Sequence, residues 1–451
     1  MKHHRPLYLT VAIALLFGSL VACSSTNHHQ KRTIEVIDQS QTKPSQVPPR
    51  PAVIHHPPAD LPAPSAPPIQ AAPVPAPAPK QHYANFDDWK ADFVQRAIAQ
   101  GYPASGVHQL MHGAKLNQQV IALDGKQAEF AKMPWEYVES AASTNRIQQG
   151  KTQLNEYPSL LSRLENTYNV PKEIVVAIWG LESSYGAGTG TMNLVNALSS
   201  LAFDGRRRAF AEAELLSMIQ LIDHGDVNQH ELKGSWAGGM GHTQFIPSTW
   251  LKQGVDGNND GKKHPWTISD ALASTANYLR NSGWVAGSEV FYEVRLPSQF
   301  DYALIGQKLP LDTWKNHGVS PIGGEYFGGQ TPAQLWLPAG INGPALLTTP
   351  NFEAIKVYNN SSNYALGVAV LGKRISNKSG IISAWPRHER PLSRQQIKQL
   401  QHNLSSRGYD TGGTDGIAGA NTRRAFARWQ ADNGKVPDGF ISQNSASALL
   451  W

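Results

Sequence analysis

Along residues 86–97 the apolar positions Phe86, Trp89, Phe93 and Ala97 recur at steps of three and four, the spacing that lines one face of an α-helix. The run Pro171-Lys-Glu-Ile-Val-Val-Ala-Ile-Trp-Gly-Leu-Glu182 predicts a second helix, with proline in the first turn where its missing N–H is harmless. Residues 207–222, 269–281 and 363–375 carry the same helical signature. Between about 286 and 350 the pattern changes to short alternating runs such as Glu289-Val-Phe-Tyr-Glu-Val294, broken by Gly and Pro, which predicts a small β-rich subdomain. A boundary falls near Ser383–Pro391. Beyond it a compact segment has its own apolar positions at Ile397, Leu400, Leu404, Ala425, Phe426 and Trp429. No solenoid-type repeat is present.

The stretch 24–82 has no apolar period. Its repeated Pro-Ala and Pro-Pro steps between Pro44 and Pro79 favour extended polyproline geometry, a semi-rigid spacer of roughly 100 Å at about 3.1 Å per residue. Ahead of it, Lys2-His-His-Arg5 precedes an uncharged, mostly apolar run from Leu7 to Ala22 that ends in Leu20-Val-Ala-Cys23. This is the layout of a secretory signal peptide. Cys23 is the only cysteine of the chain, so neither an intramolecular disulfide nor a cysteine-based metal site is available. With 451 residues the chain exceeds one core, and its net charge of +6 suits an acidic polymer. Lys and Arg are scattered without a dense run, so nucleic acid is not expected as a partner.

Candidate chemistry centres on Ile178-Trp-Gly-Leu-Glu-Ser-Ser-Tyr-Gly186. Glu182 follows Ile178 by four residues and Trp179 by three, so it shares their apolar helical face. Partial desolvation there disfavours the carboxylate and raises its pKa, as a general acid near neutrality requires. Spacing alone equally allows a helix-end glutamate facing water. Glu-Ser-Ser-Tyr-Gly, followed by Gly234-Ser-Trp-Ala-Gly-Gly-Met-Gly-His-Thr-Gln-Phe-Ile-Pro-Ser248, resembles the lytic transglycosylases of the membrane-bound B type. Trp135-Glu-Tyr137, Tyr358-Asn359 and Tyr364 support the resemblance, which covers about 86–380.

The resemblance implies a mainly α protein: a lysozyme-like α+β catalytic domain over 83–382 with the β-rich subdomain inside it. It implies Glu182 as the single catalytic acid/base, cutting between N-acetylmuramic acid and N-acetylglucosamine of peptidoglycan to leave 1,6-anhydromuramoyl ends. Ser235 and Gln244 match positions lining sugar subsites, and Tyr278, Tyr358, Asn359 and Tyr364 match positions near the cleaved linkage. Arg207 and Arg208 match a basic pair that meets acidic substituents. No cofactor is implied for catalysis. A hydrolytic muramidase, with a partner such as Asp204, and a non-catalytic wall-binding protein remain open from the residues alone.

Asp256-Gly-Asn-Asn-Asp-Gly261 matches the opening of an EF-hand loop, with oxygen ligands at its first, third and fifth positions and glycine at its sixth. The twelfth position is Thr267, so the standard loop is incomplete. By resemblance a structural calcium ion is expected on Asp256, Asn258, Asp260 and the Lys262 carbonyl, closed by Asp270. Gly186-Ala-Gly-Thr-Gly190 follows a helix instead of a strand and is a poor nucleotide fingerprint. Residues 388–451, with Gly408-Tyr409, Asp415-Gly416, Trp429-Gln430 and Asp438-Gly439 in order, resemble a small three-helix peptidoglycan-binding domain. Leu-Val-Ala-Cys resembles the lipobox of bacterial lipoproteins, which implies cleavage that leaves an acylated Cys23 as the first residue. Ser24 after it favours the periplasmic face of the Gram-negative outer membrane, with 24–82 as the tether.

Overall fold

The computed structural model describes residues 82–125 and 132–450; Cys23 and the expected signal and tether segments lie outside them, apart from His82. Helices dominate, and those expected from periodicity run Phe86–Ala99, Lys172–Ser183, Arg208–Asp223, Ile268–Asn281 and Ser362–Ile375. Pro171 sits one residue earlier than expected, as N-cap of its helix.

Two helical cores form the catalytic-size portion. In the first, the helix Lys172–Ser183 buries Ile174 to Trp179 against Leu366, Val368, Ala369 and Leu371 of the helix Ser362–Ile375, and against Leu272, Ala276 and Leu279 of the helix Ile268–Asn281. The second packs Trp89 and Phe93 with Leu194, Leu198 and Leu201 of the helix Leu194–Asp204 and with Leu215 and Met218 of the helix Arg208–Asp223. Each buried Leu or Ile side chain here contributes about 1.5–3 kcal/mol from apolar transfer.

The β-rich subdomain is a five-stranded antiparallel sheet in the order Lys308–Pro310, Pro332–Trp336, Ala345–Thr348, Phe291–Arg295, Ser320–Pro321. Glu293 pairs with Leu346 in its centre, and Tyr292, Val294, Leu335 and Leu347 close over Trp314 as a third core. The C-terminal segment comprises the helices Arg394–Ser405, Ala420–Asp432 and Ser447–Leu450 around Leu400, Leu404, Phe426 and Leu449, the three-helix unit expected.

A two-stranded ladder pairs Met192 with Gly234 and Asn193 with Lys233. It brings the segment after Glu182 against the start of the Gly234–Ser248 motif. Gly190 has φ +89°, and a Cβ there would lie 2.1 Å from the Gly234 carbonyl carbon. Gly190 therefore serves close backbone approach, a structural role for the end of the glycine run 186–190.

Candidate active site

Glu182 occupies the last turn of its helix. The helix ends at Ser184 and Tyr185, both left-handed at φ 50° and 61°, followed by Gly186 at φ 90°. Two successive non-glycine residues in that region are costly and persist only where surroundings enforce them. Here the enforcement is visible. The Ser183 hydroxyl donates to the His242 carbonyl at 2.5 Å and accepts from the Gly186 N–H at 2.9 Å. Trp179 Nε1–H donates to His242 Nδ1 at 3.2 Å; burial holds this imidazole below its ordinary pKa, so it accepts as a neutral ring. The Tyr185 hydroxyl donates to the Arg146 carbonyl at 2.7 Å.

Arg146 joins two helix ends. Its Nε–H donates to the Gly180 carbonyl at 3.1 Å, and its Nη1 donates to the carbonyls of Ser140 and Ala141. Those carbonyls belong to the last turns of the helices Lys172–Ser183 and Pro134–Ala141, where orphan acceptors and the negative dipole end both favour a cation. The walls of the site are thereby fixed to one another by a single guanidinium.

Between these elements lies a cavity of about 230 Å³ lined by Lys132, Tyr137, Ser140, Arg146, Glu182, Asn359 and Tyr364, with Ala141 and Leu181. Among the described residues, Glu182 is its only carboxyl group. Burial pushes the Glu182 pKa up to about 7, partly opposed by the Tyr364 hydroxyl, which donates to its Oε1 at 2.5 Å. Burial and the neighbouring carboxyl hold the Tyr364 phenol well above its ordinary value, so it stays a donor. A carboxylic acid with its pKa raised to about 7, held at one oxygen and lining a polar cavity, is equipped to give and then recover a proton.

The remaining sequence-predicted residues fall into four places. Asn359 and Tyr364 share the cavity with Glu182. Tyr358 stacks edge-on against Phe245 at 5.2 Å and lies 5.7 Å from the Tyr278 ring; its hydroxyl donates to the Thr243 carbonyl, and that of Tyr278 to the Val357 carbonyl. Ser235 and Gln244 flank Gly239: Ser235 Oγ accepts the Gly239 N–H, while Gln244 Nε2 donates to the Thr189 and Gly241 carbonyls. Arg207 and Arg208 lie at the start of the helix Arg208–Asp223. Arg207 pairs with Asp124 and covers Phe210, and Arg208 donates to the Ala202 and Phe203 carbonyls over the Tyr83 ring. None of these partners lines the Glu182 cavity. Arg146, Ser183 and His242 are not singled out by sequence, because their partners, backbone carbonyls for Arg146 and Ser183 and the Trp179 indole for His242, are brought to them only by the fold.

The Asp256–Gly261 loop presents hard oxygen donors of the kind calcium takes. Asp256 accepts the N–H groups of Asp260 and Gly261, Asn258 Oδ1 accepts that of Asp260, and Asp260 that of Lys262. Gly261 supplies the turn at φ +89°. Buried Asp270 stands behind the loop and accepts the Gly257 and His264 N–H groups at 2.9 Å each. Among the described residues no three His, Cys, Asp or Glu side chains converge for a metal, so the Asn258 side chain and the Lys262 carbonyl are needed to complete a set.

Comparison with known proteins agrees with this geometry. Residues 85–373 match the family described as transglycosylase SLT domain, and 393–449 match a family of peptidoglycan binding domains. Membrane-bound lytic murein transglycosylase B of Escherichia coli is 30% identical over 292 residues, 61% of this chain and 79% of that protein. The crystal structure of SltB3 from Pseudomonas aeruginosa in complex with NAG-anhNAM-pentapeptide is 42% identical, with TM-score 0.76 over 81% of this chain and all of the other. The Escherichia coli lytic transglycosylase Slt35 in complex with calcium is 28% identical, with TM-score 0.54 over 64% of this chain and 92% of the other. With the matched domain covering well over half of its length, this chain belongs to the lytic transglycosylases built on the transglycosylase SLT domain, enzymes that act on peptidoglycan.

Proposed function

We propose that Glu182 alone serves as acid and then base in cleaving the bond between N-acetylmuramic acid and N-acetylglucosamine, leaving a 1,6-anhydromuramoyl end. The observation that carries this reading is the one-carboxyl cavity around a carboxylic acid with a pKa raised to about 7. Protonated Glu182 gives its proton to the glycosidic oxygen as the C1–O bond breaks and N-acetylglucosamine leaves. The substrate's own N-acetyl group stabilises the cationic C1, which replaces a second enzyme carboxylate. Glu182, now ionised, takes the proton of the muramoyl C6 hydroxyl while that oxygen closes on C1. The acid is regenerated and no water is consumed. Two-carboxylate hydrolysis needs a partner within about 5–9.5 Å; Asp204 is exposed at the end of its own helix and is not a cavity residue. The complex of SltB3 with NAG-anhNAM-pentapeptide supports the same class of product.

Asn359 and Tyr364 would face the cleaved linkage, Tyr278 and Tyr358 would stiffen that wall, and Ser235 and Gln244 would line sugar subsites. Arg207 and Arg208 would meet acidic substituents beyond the cavity. Residues 83–382 form the catalytic domain and 388–451 the wall-binding domain, carried by the 24–82 tether from an acylated Cys23 on the periplasmic face of the outer membrane. Digesting purified peptidoglycan with protein that begins after Cys23, then weighing the muropeptides, tests the chemistry. Products lighter by one water than the hydrolytic ones are expected. Reducing ends would make the protein a hydrolase, and intact glycan with retained wall binding would leave an anchor without catalysis.

Asp256, Asn258, Asp260 and the Lys262 carbonyl, backed by Asp270, would hold a structural calcium ion; Slt35 supports this through its calcium complex. Calcium added to chelator-treated protein is then expected to raise the unfolding midpoint by about 2–4 °C, the effect of about 1 kcal/mol of binding linkage. Asp260→Ala should abolish that rise. An equal rise in wild type and variant would place any bound ion elsewhere.

A further inference from the structure

The helix Pro134–Ala141 is a two-faced wall. Trp135 and Glu139, one turn apart, lie on one side, while Tyr137, Ser140 and Ala141 turn the other side to the Glu182 cavity. The outward side is met by the C-terminal unit and the segment leading to it. Phe440 is 6% exposed and buries its ring with Met133, Trp135 and Ala339, with Trp385 packed alongside; the Trp135 and Trp385 rings lie 6.1 Å apart. Asp438 Oδ2 accepts the Ile341 N–H at 3.2 Å, and Arg387 pairs with Glu139. Gly340, at φ +71°, allows this approach: a Cβ on it would lie 3.2 Å from the Phe440 ring.

Phe440 has no place among the Leu400, Leu404, Phe426 and Leu449 core of its own unit. It is a large apolar side chain on a small domain whose buried apolar neighbours are Met133, Trp135 and Ala339 of the catalytic portion. Its neighbours Asp438 and Gly439 are locked through Gln430, which donates to Asp438 Oδ1 and accepts the Gly439 N–H, both at 2.8 Å. A stiff support thus presses on a helix of eight residues. Such a short helix draws little stability from its own hydrogen bonds.

We infer that Phe440 is a positioning residue for catalysis: docked on Met133 and Trp135, it holds the helix Pro134–Ala141 so that Tyr137, Ser140 and the Arg146 clamp stand correctly around Glu182. The C-terminal unit then braces the active-site wall from behind as well as binding the cell wall. This rests on the Glu182 cavity being the reaction site. A displacement near 1 Å of substrate-positioning groups lowers turnover strongly.

Phe440→Ala is expected to lower kcat on short soluble glycan fragments about tenfold, with little change in KM. Phe440→Leu should restore most of the rate, and Ile417→Ala, on an exposed loop of the same unit, should leave it unchanged. Sedimentation with insoluble peptidoglycan should persist in Phe440→Ala, showing that the unit is still folded. Hydrogen exchange provides a readout independent of turnover: amides of 134–141 should exchange faster in Phe440→Ala, while those of 364–375 keep their protection. Unchanged exchange in 134–141 overturns the inference, as does an unchanged kcat. Should the wild type release no fragments, the reading of Glu182 fails, and exchange alone still decides whether Phe440 holds the helix.

Discussion

Glu182→Gln is expected to reduce glycan cleavage by roughly a thousandfold or more, the scale of a lost general acid that also serves as the base. The amide keeps the shape of the side chain and can still accept from Tyr364, so the cavity persists while its transferable proton is gone. The same substitution should stabilise the fold in a pH-dependent way. The Glu182 carboxyl is raised from 4.5 to about 7 in the folded protein. Between those values the folded state retains a proton that the unfolded chain releases, so stability falls as pH rises and the loss is complete above about pH 7. Solvent at the cavity mouth screens part of the effect, leaving about 2 kcal/mol. The glutamine variant, with no group to titrate there, has no such loss. Thermal unfolding of the two proteins should therefore nearly coincide near pH 4.5 and separate by pH 8 with the variant ahead. Parallel curves across that range would mean that Glu182 is not desolvated in the folded protein.

Features of the fold and site carried by local period were legible in the sequence. The three- and four-residue steps located five of the long helices, and the spacing of Ile178, Trp179 and Glu182 placed a carboxyl on an apolar face. The change to alternating residues near 286 marked the sheet. What escaped was set by contacts between distant segments through backbone groups. Arg146 looks like any helical arginine until the carbonyls of Ser140, Ala141 and Gly180 are brought to it. Ser183 carries no signal beyond its place in the Glu-Ser-Ser-Tyr-Gly run, yet its hydroxyl fastens the helix end to the His242 carbonyl. Phe440 follows an Asp-Gly turn with no sequence signal of its own, and its buried apolar neighbours Met133, Trp135 and Ala339 lie some hundred or more residues away in the chain. Arg207 and Arg208 show the same limit. They match a basic pair by motif, and their separate local partners are equally invisible in sequence: one pairs with Asp124 and the other donates to the carbonyls of a helix end.

Tyr364→Phe should move the alkaline limit of activity upward while lowering turnover. The Tyr364 hydroxyl donates to Glu182 Oε1 at 2.5 Å and is the one group identified as drawing the carboxyl pKa down against burial. Removing it leaves desolvation unopposed, so Glu182 holds its proton to higher pH. Cleavage begins with the protonated acid, so kcat/KM reports that group in the free enzyme and should persist into more alkaline solution. The second half of the reaction needs the carboxylate as base. Without the charge-assisted hydrogen bond the carboxylate forms less readily and loses its fixed orientation, so kcat should fall by about tenfold, the equivalent of about 1.4 kcal/mol and near the lower end for a hydrogen bond to a charged group. The ring itself is buried and remains in place as phenylalanine, which separates this effect from a packing defect. A profile of kcat/KM against pH for both proteins decides the matter. An alkaline limb that stays in place or moves down would assign the titration to a group other than Glu182, because the loss of a donor to a carboxylate can only favour its protonated form.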